Sequence, residues 1–290
     1  EPAKLFNDGE WTFSKFVEYA KEAQTKLDSL GEGYYAVAGN PTYYWVGMSN
    51  ASGVRLIDVQ NWKVGVMDET ASKAADALKE IKAANAMTGT SQVDAGVTSW
   101  MDNKALFNTG DLWFVNTDNR WKEDLWGEDT RYGYVPFPRA DGTSKEDQKI
   151  GLAGTSTLVM PVDREANYSG FGDECTTENI YYALMTMYLL TEEYYKGDPS
   201  YDEEVQLRTL AEKYTETDES IEAFMYMTKS IEEVGFYDPL SSPDNPIVNT
   251  GFSDFARSIN KYVYGETAQY SEAVEPYIAQ LEEALTKAFS

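Results

Sequence analysis

The chain has 290 residues, room for one large domain or two ordinary ones, and its 42% apolar and 25% charged residues are the balance of a globular rather than a disordered protein. Lys and Arg number 24 against 49 Asp and Glu, a net charge of −25 whose field repels phosphate backbones and anionic headgroups, so nucleic acid and membrane surfaces are poor partners. There is no histidine and a single cysteine, Cys175; Ser-His-Asp triads, Cys-His pairs, His-ligated zinc, internal disulfides and thiolate clusters are all excluded.

The first predicted element is a helix entered at Thr12, a candidate N-cap, with Phe13, Phe16, Val17 and Ala20 on one face through Leu27, and stopped by Gly31 and Gly33. Tyr34 to Ala38 is short, aromatic and β-branched and reads as a strand ending at Gly39-Asn40-Pro41. Thr42 to Gly47 is a loop or helix start dense in rings, Thr70 to Ala84 a helix, and Thr98 to Phe107 a shorter one. Leu112 to Asn116 reads as a buried strand opening into the polar, aromatic loop Thr117 to Trp121. Tyr132 to Pro138 is a strand shut off by prolines, suited to an edge or a crossing, and Gly151 to Val162 is another strand. Helices alternating with strands argue an α/β fold with a parallel or mixed sheet. Beyond about residue 163 the patterns at 179–195, 203–214 and 220–234 are helical, 238–249 is an extended crossing with three prolines, and 254–264 and 271–289 close the chain as helices, the last kinked or begun near Pro276.

A neutral sugar presents C–H-rich faces and a rim of hydroxyls, so its site needs flat rings with Asp, Asn or Arg around them. In open α/β sheets ligands bind beyond the carboxyl ends of strands. Three segments fit: Asn40 to Trp45, Thr117 to Trp121 and Gly251 to Phe255. Trp113 and Phe114, inside a strand, read as core; Trp45 reads as either core or platform; Trp121 reads as a platform; Asp118 and Asn119 serve equally as turn residues. With 49 acids, carboxylate pairs such as Glu192-Glu193, Glu203-Glu204 and Glu232-Glu233 are solvated charge before they are catalytic pairs. No calcium loop, dinucleotide fingerprint or phosphate loop occurs, so neither metal nor cofactor is expected, and binding without catalysis is.

Several segments, in order, resemble the extracellular solute-binding proteins of bacterial ABC importers, in the sugar-binding, maltose-binding-protein-like group. Gly9 to Phe16 resembles that group's Trp-Thr/Asp-x-Phe helix opening, Ala105 to Trp113 its Phe-x-x-Gly segment, Tyr132 to Pro138 with Asp141-Gly142 its Gly-x-x-Pro-x-Pro…Gly segment, and Gly151 to Val162 its inter-lobe crossing strand. The helix around Tyr181 to Glu193 and the closing helices follow in the same order. The resemblance implies a periplasmic-binding-protein-like, two-lobed clamp closing on its ligand, one lobe formed by 1–156 with 248–290 and the other by 157–247. It also implies ligand contacts at Tyr43, Tyr44, Trp121 and Phe252, with Asp118, Asn119 and Asp254 as polar partners; Trp45 joins them from the residue reading above. The chain departs from the group in a bulkier Asp111-Leu112-Trp113 and an extra stretch at 167–175. It also lacks the segment that precedes the Trp-Thr-x-Phe helix in the group. The expectation is therefore a fold incomplete at the N-terminus, a piece of an extracellular receptor anchored through a lipidated N-terminus, whose uncovered apolar surface favours self-association.

The function expected is the carbohydrate-binding component of an ABC importer, partnered by a mono- or oligosaccharide and by membrane permease subunits. The alternatives are a carbohydrate hydrolase using paired carboxylates and a surface module whose rings face a protein partner.

Overall fold

The computed structural model describes residues 1–88, 99–100, 102–109, 131–152, 177–198, 202–229, 234–241 and 252–288. They form a mixture of helices and small sheets. Residues 1–154 with 211–290 make one compact unit and 155–210 a second. The chain thus returns to its first unit at Ala211, well before the expected 248. The physical reason is burial: Ala211, Tyr214, Ala223, Phe224 and Met225 are all inside that unit.

The first unit begins with helix α1 (Pro2–Asn7) and helix α2 (Phe13–Leu27). Thr12 caps α2 as its sequence predicts, its side chain accepting from Lys15 N, and the buried stripe is Phe13, Phe16, Val17, Ala20 and Gln24. Gln24 is the polar member of that stripe, and it is satisfied. Its Nε2 donates to Asp28 Oδ1 and Tyr34 O, and its Oε1 accepts from Ala36 N, which pins α2 to strand β1 (Tyr35–Val37). The ring-rich stretch after β1 is a full helix, α3 (Pro41–Ala51), with Asn40 as cap and Pro41 in its first turn. Nine of its eleven residues are buried, the mark of a helix packed on all sides.

Around α3 stand helix α4 (Glu69–Ala83) and the returning helix α8 (Phe252–Val263), itself packed on helix α9 (Tyr270–Ala288). Ala71, Ala74 and Ala75 are wholly buried on α4 and let α3 approach closely. Thr42 joins α3 to α8: its hydroxyl lies 2.8 Å from Ala256 O and from Asn260 Oδ1. A short antiparallel hairpin, β2 (Ile57–Asp58) with β3 (Lys63–Val64), sits between α3 and α4 in the chain. Helix α9 runs through Pro276 without ending there.

Two elements differ from the sequence expectation. The helix predicted over Thr98 to Phe107 stops almost at once. Asn103 takes a left-handed φ of 58°, its N–H bonding back to Trp100 O, and the chain then extends as strand β4 (Ala105–Phe107), parallel to β1. The strand predicted over Tyr132 to Pro138 is extended but unladdered, with one parallel bridge, Tyr132 to Thr215, because Pro136 and Pro138 have no N–H to donate. Strand β5 (Ile150–Leu152) begins where a crossing strand was expected and pairs in parallel with β6 (Gly235–Tyr237), a strand the helical reading of that region missed. The strand predicted over Leu112 to Asn116 lies outside the described residues.

In the second unit, helix α5 (Thr177–Tyr195) and the start of helix α6 (Glu203–Tyr214) match their predicted spans. Tyr182, Met187, Tyr188, Leu189, Leu190 and Tyr194 on α5 are between 55% and 80% exposed. Helix α7 (Asp218–Lys229) belongs to the first unit and packs on α1.

One glycine has a contact that decides its identity. Gly47, inside α3, lies directly against the ring of Phe137, and a methyl group there would collide with that ring. Gly47→Ala is expected to lower stability by about 1–3 kcal/mol despite the gain in helix propensity; a urea melt with an unshifted midpoint would contradict this packing.

Candidate functional site

β1 is the middle of a small parallel arrangement: Val37 is opposite Phe107 of β4 on one side and bridges Met87 on the other. A cavity of about 460 Å³ runs along β4 and past its carboxyl end. Its walls come from several separate stretches of the first unit, helix α7 among them through Ser220 and Met227. The start of the chain and α2 contribute Trp11, Phe16 and Tyr19; α3 contributes Tyr44; β4 and its exit contribute Phe107, Asn108 and Thr109. Trp100 and the extended 131–138 segment, with Tyr132, Tyr134 and Phe137, complete it.

Each ring is held by its neighbours. Phe16 stacks on Tyr44 at 6.2 Å and meets Phe107 edge-on at 5.6 Å. Trp11 meets Phe16 at 5.5 Å, and Tyr44 meets Phe137 at 6.1 Å. Such offset and edge contacts add about 0.5–1.5 kcal/mol per pair beyond area burial, so the wall is fixed in shape before any ligand arrives. The prolines that deny the 131–138 segment a ladder leave it to be tied down by single bonds. Tyr132 N donates to Tyr214 O at 3.1 Å, Tyr134 N to Ser220 Oγ at 3.2 Å, and Trp11 Nε1 to Pro136 O at 2.9 Å. Arg139 then locks its end: the buried guanidinium donates to Thr143 O, Trp11 O and Gly9 O, and burial lowers its pKa.

The polar character of the wall is mostly neutral. Burial pushes the Tyr44, Tyr132 and Tyr134 phenols well above their ordinary range, so all three remain protonated at any physiological pH. Tyr134 Oη donates to Met227 Sδ at 2.9 Å. The charged side chains of the described wall are Glu1 and Arg131. Two oxygens, Tyr44 Oη and Asn108 Oδ1, are buried with no hydrogen-bond partner among the described residues. Asn108 lies over Gly39, which has a φ of +99°: a Cβ on Gly39 would sit 2.5 Å from Asn108 Oδ1, 3.4 Å from Thr109 Oγ1 and 3.6 Å from Tyr44 Cε2. Only glycine meets both the backbone and the space requirement.

Of the residues singled out from sequence, Tyr44 lines this cavity. Tyr43 is partly buried outside its wall. Trp45 is corrected to core: it is fully buried, its Nε1 donates to Ala71 O at 2.9 Å, and its ring meets Phe255 at 5.8 Å. The reason is helical geometry, since adjacent residues on α3 point about 100° apart, and Tyr44 and Trp45 serve different sides. Asp254 is exposed and pairs with Arg257 at 3.0 Å, one helical turn along α8, away from the cavity wall. Phe252 opens α8, and its side chain lies outside the described residues. Asp118, Asn119 and Trp121 also lie outside them.

In the sequence Trp11 and Phe16 read as part of a helix opening and Phe107 as the end of a short helix, while Tyr19 and Asn108 carry no signal of their own. A signal was present in Tyr132-Gly133-Tyr134-Val135-Pro136-Phe137-Pro138, where rings recur in an extended stretch whose prolines bar it from a sheet interior. Among the described residues no cluster of three or more acids or Cys could hold a metal ion, and no helix is long and apolar enough to cross a membrane. The sequence matches no known family model and no curated protein.

Proposed function

We propose that this chain is the carbohydrate-capturing component of a bacterial ABC importer, an extracellular solute-binding protein that delivers a mono- or oligosaccharide to membrane permease subunits. The finer architecture that goes with this reading is the periplasmic-binding-protein-like two-lobe fold, anchored outside the cell. One observation carries it: a cavity of about 460 Å³, walled chiefly by fixed aromatic rings, lies at the carboxyl end of a strand in a parallel pair. Rings offer C–H faces their stacking surface, neutral phenols and amides supply hydroxyl partners, and the volume suits one or two sugar rings. The net charge of −25 disfavours anionic ligands at long range.

Titration with a panel of neutral mono- and disaccharides tests this. Trp11 and Trp100 line the cavity, so binding is expected to change tryptophan emission and to release heat with a Kd in the micromolar range, about −8 kcal/mol. No response from any neutral sugar up to about 1 mM, an affinity of about −4 kcal/mol, would remove the proposal.

A further inference from the structure

Independently of what the cavity holds, we infer that helix α5 of the second unit is a self-association surface, on which a second copy of this chain packs antiparallel about a two-fold axis at Met185. Residues 179 to 191 carry no charge, in a chain of which 25% is charged. Successive residues of a helix turn by about 100°, so Tyr181, Tyr182, Met185, Tyr188 and Leu189 share an arc of about 120° on α5. All five are open to solvent, between 37% and 61% exposed. An uncharged apolar stripe of that width is what a helix normally turns toward a core. The Tyr181 and Tyr182 rings meet edge-on at 5.7 Å, two large rings of the kind enriched at the centre of protein interfaces.

The occupant follows from the symmetry and size of the stripe. Its positions mirror about 185: in an antiparallel pair centred there, Tyr181 faces Leu189 of the second copy, Tyr182 faces Tyr188, and Met185 faces its own equivalent. A two-fold dimer requires just such self-complementarity of a single patch. The five side chains expose roughly 600 Å² on each copy, about 1,200 Å² for the pair, the lower edge of specific protein interfaces. Charge sets the direction of packing. Parallel helices would bring Glu193 beside Glu193, whereas antiparallel ones put each Glu193 beside the first turn of the other α5, where the helix dipole favours an anion. The net charge of −25 repels a second copy at long range. Contact through an uncharged stripe should therefore tighten as salt screens that repulsion.

The test is sedimentation velocity of the full chain up to about 100 μM, in about 50 mM and about 500 mM salt. The expected result is a monomer–dimer equilibrium with a Kd of about 10 μM, tighter at the higher salt. Met185→Glu, which sets two carboxylates face to face across the axis, should weaken it at least about tenfold. Leu190→Glu, equally exposed to solvent but about 140° around the same helix, should leave it unchanged, and both variants should melt as the parent does. In a Cys175→Ser background, oxidised glutathione should cross-link the Met185→Cys variant with itself and the Tyr181→Cys variant with the Leu189→Cys variant. It should not cross-link Tyr181→Cys with itself, because those two positions lie about 12 Å apart along the antiparallel pair. A chain that stays monomeric at about 100 μM in both salts overturns the inference. Leu190→Glu dissociating the dimer as fully as Met185→Glu, or species that grow beyond two copies with concentration, mark unspecific apolar contact and overturn it as well. Self-linking of Tyr181→Cys as readily as Met185→Cys overturns the antiparallel arrangement. Sugar titration reads a different unit of the chain, so none of these outcomes touches the function proposed above.

Discussion

Asp238→Ala is expected to cost about 3–5 kcal/mol of stability. Asp238 follows β6 and is completely buried. Its Oδ2 accepts from Leu56 N at 2.7 Å and Asn50 Nδ2 at 2.9 Å, and its Oδ1 accepts from Leu240 N at 3.1 Å and Ile57 N at 3.4 Å. Alanine leaves those donors buried and unpaired, and it uncouples the end of α3 from the strand that leads into the turn at 239–241. Burial pushes the Asp238 carboxyl up to about 6, outweighing the four donors that favour its charged form. In the unfolded chain the same group titrates near 3.9. The folded pKa is the higher one, so the stabilisation this group lends is complete below about pH 4 and is lost as pH rises through about 6, a change on the order of 3 kcal/mol. Asp238→Asn keeps the volume and removes the titration. Urea melts across pH 4–7 are therefore expected to show the parent losing stability relative to Asp238→Asn over that window. Parallel profiles would mean that the carboxylate is not desolvated.

The second large effect is Trp45→Ala, expected to lower stability by about 3–5 kcal/mol, the usual cost of emptying a buried ring site. The ring is enclosed by α4, α8 and α9 through Ala71, Phe255 and Tyr270. Trp45→Phe keeps a ring but gives up the indole N–H bond to Ala71 O and leaves part of the site unfilled, which should cost about 1–3 kcal/mol. Because Trp45 lies outside the cavity wall, the Phe variant should bind sugar as the parent does. A loss of affinity in that variant, with stability intact, would return Trp45 to the ligand side.

Much of the helical framework was legible residue by residue. The Thr12 cap with its stripe at Phe13, Phe16, Val17 and Ala20, and the spans of α4 and α6, are local properties of spacing, capping and propensity. The failures were also local in origin. At 98–107 the apolar spacing fits a helix, but Asn103 adopts the left-handed conformation that ends one, and pairing with β1 then extends the remainder. At 235–237 a three-residue strand is too short to carry a period of its own.

The candidate site was less visible, for a different reason. Tyr44 and Trp45 are neighbours of similar chemistry, and nothing in their immediate sequence says which faces the cavity and which the core. Asn108 has no signal of its own in the sequence, and only the fold brings it against Gly39, nearly seventy positions earlier.

By itself the sequence determined the charge, the chemistries that lack the residues they need, and the periodic helices, because these depend on composition and on neighbours within a few turns. Which rings became wall and which became core was decided only by the tertiary structure. A cavity is the space left between segments distant in the chain, and its shape depends on how closely residues such as Gly47 and the alanines of α4 let those segments pack.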